Sequence, residues 1–128
     1  MKRTMITIFI ILAVFLTGCQ KTEEQGAVYM KIDQATAKTN METRDDIILL
    51  DVRTEYEHDE IRIPGSMLLP DYDIGRLAPT LLPDKDAEIY VYCRSGARSR
   101  EAVMTLLGMG YTNVYDLGGI IDWPYETE

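Results

Sequence analysis

The chain has 128 residues, enough for one domain. Thirteen Lys and Arg stand against twenty-one Asp and Glu, a formal charge of −8, so nucleic acid, which selects a basic footprint, is not an expected partner. Hydrophobic residues at 46% and charged residues at 27% give a globular composition; two cysteines exclude a disulfide framework or a four-thiolate zinc site, and one histidine excludes a His-pair metal motif.

Lys2 and Arg3 open the chain with positive charge, and Met5 to Leu16 runs apolar, broken only at Thr7. That length suits a signal-peptide core and falls short of the ~20 residues that span a bilayer. The run ends in Leu16-Thr17-Gly18-Cys19, which resembles the lipobox of bacterial lipoprotein signals. The resemblance implies cleavage before Cys19 and a diacylglyceryl group on its thiol. It also implies an extracytoplasmic lipoprotein of the bacterial cell envelope, held at the membrane by lipid. An uncleaved anchor with an incidental cysteine is the alternative. Residues 1–18 are thus read as signal, 19–27 as tether and 28–125 as the folded domain. With Cys19 lipidated, Cys93 is the only free thiol, facing an oxidising compartment without an intramolecular partner. Such a thiol is either buried and inert or kept for its chemistry.

Val28 to Ile32 alternates as a short strand does, and Asp33 is a good N-cap for a helix through about Asn40. Ile47 to Leu50, ending in Asp51, suits a central strand buried on both faces. Thr54 to Glu60 predicts one or two helical turns. Pro64-Gly65 predicts a turn, with a short strand around Ser66 to Leu69. Asp73 to Leu82 predicts a helix interrupted or kinked at Pro79. Glu88 to Tyr92 is a second strong strand, rich in β-formers. Arg98 to Met109 has helical spacing of its apolar residues. Asn113 to Leu117 is a last strand, and Gly118-Gly119 turns the chain. Strands alternating with helices imply an α/β fold: a mostly parallel central sheet of about five strands with helices on both faces. Functional loops of such sheets lie at the carboxyl ends of the strands.

Cys93 directly follows the strand Glu88 to Tyr92, and Arg94-Ser95-Gly96-Ala97-Arg98-Ser99 leads into the next helix. A short loop between a strand end and a helix N-terminus gathers backbone N–H groups into an anion-binding nest, and the helix dipole adds positive potential there. Gly96 allows the backbone angles of a tight cradle. Arg94 and Arg98 add two charges. A thiolate in that setting is favoured, and so is an anionic sulfur attached to it.

Cys93 to Ser99 resembles the active-site loop of single-domain rhodanese sulfurtransferases. Asp51-Val52-Arg53, Ile63-Pro64-Gly65-Ser66, Gly110 to Val114 and Leu117-Gly118-Gly119 to Trp123 resemble further segments of that family in the same order. The resemblance covers about residues 28–125. It implies a rhodanese-like fold, Cys93 as nucleophile, and Arg94, Ser95, Gly96, Ala97 and Arg98 as the substrate-binding loop, with Asp51 and Arg53 in support. It implies a sulfur donor such as thiosulfate or a persulfide, a thiol or cyanide as acceptor, and no metal or organic cofactor. Four residues separate Cys93 from Arg98. Related phosphatases and arsenate reductases have one more, to fit a tetrahedral oxyanion, so the shorter ring favours sulfur transfer over phosphate-ester hydrolysis. A non-catalytic binding module is the other alternative.

Blander roles compete at several positions. Cys93 could be a structural thiol, and Arg94 and Arg98 solvated charges. Asp51 and Arg53 sit at a strand's carboxyl end, but Arg53 and Glu57 are spaced for a local i,i+4 ion pair. His58 lies in an acidic stretch and is expected on a solvated helical face. Trp123 is expected in the core. In one departure from the family, Ile61-Arg62 stands where a Gly-His pair commonly precedes Ile-Pro-Gly.

Overall fold

The computed structural model describes residues 27–128, so the expected signal segment and most of the tether, Cys19 included, lie outside the described residues. The elements begin with β1 (Met30–Lys31), α1 (Gln34–Thr43), β2 (Ile48–Asp51), α2 (Glu55–Glu60) and β3 (Met67–Leu68). A 3-10 turn at Asp71–Asp73 leads into α3 (Ile74–Leu81). Then come β4 (Ile89–Cys93), α4 (Ala97–Gly108), β5 (Val114–Gly119) and a second 3-10 turn at Ile120–Asp122. The five strands form one sheet in the order β1-β5-β4-β2-β3, and every pair is parallel.

The period-two alternation of the central strands builds two cores. On one face Leu50, Val52, Ile89, Val91 and Cys93 pack with Ile74, Ala78 and Leu82 of the α3 region and Ala102, Val103 and Leu106 of α4. On the other, Leu49, Tyr90 and Tyr92 pack with Ala37 of α1, Ile63 and Trp123. The expected α/β sheet with helices on both faces is what the chain adopts.

Local signals explain most boundaries. The Asp33 side chain accepts the Thr36 amide at 3.0 Å and starts α1. Thr54 and Glu57 form a reciprocal capping box that starts α2, a helix with no buried residue. Pro79 lies inside α3 without ending it; the Leu82 amide still donates to the Ala78 carbonyl at 2.8 Å. The buried Tyr111 hydroxyl meets the carbonyls of Ala78 at 3.0 Å and Leu82 at 2.7 Å, tying off the end of α3. β5 runs on through Gly118-Gly119, where a turn was expected. Opposite this stretch the β4–β5 register shifts between Val91 and Tyr92. The register aligns Asp51 with Tyr92 and Cys93 with Gly119. The carboxyl ends of β2, β4 and β5 therefore lie together at one end of the sheet.

Candidate active site

Cys93 is the last residue of β4, and only Arg94, Ser95 and Gly96 separate it from α4. The Gly96 amide donates to Cys93 Sγ at 3.0 Å. Gly96 is also the N-cap of α4, with φ 104°, a left-handed conformation that a side chain would strain. Having no side chain, it provides no cap hydrogen bond. The first-turn amides of α4 are thus left free of the usual capping oxygen beside the end of β4. Of the expected nest, one amide reaches the sulfur. Cys93 itself is 1% exposed and packs with the core of its face, deeper than an electropositive loop alone would suggest.

The two loop arginines behave differently. Arg98 meets Glu57 of α2 through two hydrogen bonds of 2.8 Å each. These bonds are the main reason the Glu57 carboxyl is held down to about 2, and the Thr54 amide at 3.0 Å assists. Arg94 is exposed, and among the described residues no carboxylate lies within ion-pair distance of it. Its carbonyl is docked, accepting the Ile121 amide at 3.2 Å. That carbonyl lies only 2.3 Å from where a Cβ on Gly119 would stand, so the strand can approach the loop only because residue 119 is glycine.

Behind the loop, Ser99 Oγ lies 2.7 Å from Asp116 Oδ1 and 3.0 Å from the Gly96 carbonyl oxygen. The buried Asp116 also accepts the Gly118 amide at 2.9 Å and the Tyr29 hydroxyl. Burial, then the hydrogen bond to Asp116, pushes the Tyr29 hydroxyl up to about 12. This chain of contacts ties the loop to β5 and to the segment before β1.

Asp51 and Arg53 come together in a second buried cluster. Arg53 Nε and its second amino group reach the two Asp51 oxygens at 3.0 and 2.8 Å, and the Arg53 amide adds a third bond at 3.0 Å. Tyr92 donates to Asp51 at 2.9 Å, and His58 Nδ1 lies 2.9 Å from the same carboxylate. Burial alone would raise the Asp51 carboxyl, but bonds from Arg53 and His58 outweigh it and hold it below the usual range. The Tyr92 hydroxyl also takes the Ile63 amide at 3.2 Å and meets Ser66 Oγ at 3.0 Å, which fastens the Ile-Pro-Gly-Ser turn to β4. Asp51 and Arg53 therefore support the strand ends, and no hydrogen bond joins either to the thiol.

Two expectations need correction. Arg53 does not pair with Glu57: a planar guanidinium finds a better bidentate partner in Asp51, and Glu57 turns to Arg98. His58 is not on a solvated face, since α2 lies over the end of β2 and brings its ring to Asp51. Glu57 and Asp116 were not predicted beside the loop, and Ser99 entered only as the last residue of the loop motif. A carboxylate inside the apolar run Val114 to Leu117 was the available signal for Asp116.

Beside the loop, Arg53, Tyr56, Ile61, Arg94, Ile121 and Trp123, among others, line a cleft of about 580 Å³. A second, of about 420 Å³, lies on the β1 side between Tyr29, Lys31, Ser95, Gly96 and Arg100.

Comparison with known proteins identifies the family of the fold. Residues 33–125 match the family model described as a rhodanese-like domain. A sulfurtransferase of Allochromatium vinosum is 36% identical over 96 residues, covering 73% of this chain and 86% of that protein. The thiosulfate sulfurtransferase PspE of Escherichia coli is 33% identical over 73 residues, covering 57% of this chain and 70% of that one. The crystal structure of a rhodanese-related protein from Thermoplasma volcanium superposes with a TM-score of 0.67 at 28% identity, covering 78% of this chain and 98% of the other. The match over residues 33–125 and the relative at 36% identity show that the chain belongs to the rhodanese-like domain family.

Proposed function

We propose that this protein is a sulfurtransferase that carries sulfane sulfur as a persulfide on Cys93. The observation that carries the proposal is the Gly96 amide 3.0 Å from Sγ, in a loop closed by the anchored Arg98. In the first half-reaction the Cys93 thiolate attacks the outer sulfur of a donor such as thiosulfate. A new S–S bond forms on Sγ, the donor's own S–S bond breaks, and its electron pair leaves with sulfite. The outer sulfur of the persulfide is anionic, and the free amides at the start of α4 suit it as an oxyanion hole suits oxygen. In the second half-reaction a nucleophilic acceptor, a thiol or cyanide, takes that sulfur and returns Cys93 to thiolate.

Covalent transfer of this kind predicts ping-pong kinetics. Thiosulfate and cyanide varied together should give parallel double-reciprocal lines, and Cys93→Ser should abolish turnover. Retained turnover in that variant contradicts the proposal. The lipid on Cys19 belongs to the same proposal: it would hold the donor and acceptor chemistry at the outer side of a cell-envelope membrane. The burial of Cys93 favours a second reading, a binding module whose thiol never accepts sulfur. A folded protein inert toward every sulfane donor would select it.

A further inference from the structure

The cleft beside Arg94 has a chemistry of its own. Its volume of about 580 Å³ is that of a small-molecule site. Its lining is mixed, with Arg53, Glu57, Glu60 and Arg94 set among apolar groups, and the apolar part is open to solvent: Tyr56 is 72% exposed and Ile121 62%, with Ile61 and Tyr125 exposed beside them. Exposed apolar groups gathered around one depression mark a binding surface. Another part of the wall is the segment after Trp123. There Arg62 and Glu128 exchange two backbone hydrogen bonds of 2.9 Å, reinforced by an Arg62 Nε bond to the Glu128 carboxylate at 3.1 Å. Ile61 and Arg62, which replace the family's Gly-His pair, thus supply one wall and anchor another.

Charge in the cleft is mostly spent internally. Asp51 engages Arg53, and Arg98 engages Glu57. Among the described residues that line it, Arg94 is the guanidinium without a carboxylate partner, and Glu60 is the unpaired acid. Arg94 is also the one next to the nucleophile in the chain. Exposed apolar groups beside a free guanidinium at the loop end suit an anion with an apolar body that meets Arg94 and keeps clear of Glu60.

We propose that this cleft binds the sulfur acceptor, and that the acceptor is an organic thiol with a ring-sized apolar body and a carboxylate that meets Arg94. The proposal rests on the sulfurtransferase reading of Cys93. In the transfer, the acceptor thiolate forms a bond to the outer persulfide sulfur. The Sγ–S bond breaks, its electron pair stays on Cys93, and the acceptor departs as a persulfide anion. No oxidant or reductant is consumed.

The chain has a single tryptophan, Trp123, and it lines this cleft, so its emission reports occupancy without any sulfur chemistry. The purified full chain is titrated with para-toluate and with para-toluamide, which share a shape and differ in charge. Para-toluate is expected to bind about tenfold tighter, and Arg94→Gln to bring the ratio to about one, because a charge-assisted pair is lost. Tyr56→Ala should weaken both ligands several-fold and leave their ratio unchanged. Equal binding of the two, or a preference that survives Arg94→Gln, overturns the proposal. In parallel, intact mass reads loading of Cys93 by thiosulfate, and discharge per loaded protein is compared for para-mercaptobenzoate and para-mercaptobenzamide. An about tenfold preference for the acid is expected. Loading followed by equal discharge overturns the acceptor site alone. Absence of loading with the toluate preference intact overturns the sulfurtransferase reading, and with it the acceptor role.

Discussion

Glu57 and Arg98 are joined by two 2.8 Å hydrogen bonds, so a helix that buries none of its own residues fixes the last arginine of the loop around Cys93. These bonds, together with the His58 contact to Asp51, hold α2 where it has no buried side chain of its own. Glu57→Gln removes the charge and one acceptor, and should lower sulfur transfer by about tenfold.

The same pair has a pH signature. The Glu57 carboxyl is held down to about 2, mainly by Arg98, against an ordinary value of 4.5. A depressed carboxyl contributes stability in full above its unfolded value, and that contribution disappears as pH falls through the folded one. Urea melts of the wild type and Glu57→Gln should therefore differ at neutral pH, by roughly 1 kcal/mol after allowance for solvent screening. The difference should close between about pH 4.5 and 2. A constant gap across that range contradicts the assignment.

Asp51 accepts Arg53, Tyr92 and, by contact, His58 within one buried cluster. Asp51→Asn leaves the Arg53 guanidinium buried without its counter-charge and should cost roughly 3–5 kcal/mol in urea denaturation. A loss below about 1 kcal/mol would mean the cluster is solvated in solution.

Gly119→Ala places a methyl group 2.3 Å from the Arg94 carbonyl oxygen and 2.8 Å from Ser95 Cα, both backbone atoms. The loop must move. The expected outcome is a destabilisation of roughly 1–3 kcal/mol, with amide resonances of residues 94–96 displaced and persulfide loading reduced. Unchanged resonances there contradict the close approach.

For Cys19, radiolabelled palmitate should enter the wild-type protein in cells and be lost in Cys19→Ala, together with the membrane fraction. Label retained in the variant rejects lipidation.

What was legible in the sequence was what local pattern encodes. The apolar run Ile47 to Leu50 announces a central strand, the β-formers of Glu88 to Tyr92 announce another, and Asp33 announces its helix; the strands form over Ile48–Asp51 and Ile89–Cys93. The order of Cys93, Gly96 and Arg98 marks a loop between a strand and a helix, and the chain forms one. What escaped were contacts between distant segments. Glu57 and Arg98 are 41 residues apart, and a nearer partner for Glu57, Arg53, satisfied the local rule. His58 read as solvated because nothing local reveals that α2 lies over the end of β2. Tyr29, Ser99 and Asp116 meet only once β1 and β5 pair.

The most direct measurement is the intact mass of the full chain after exposure to thiosulfate, for the wild type and Cys93→Ser. The wild type should gain one sulfur atom, lose it on addition of cyanide, and the variant should gain none. A wild type whose mass never changes, or a variant that gains the same atom, would remove Cys93 as the carrier.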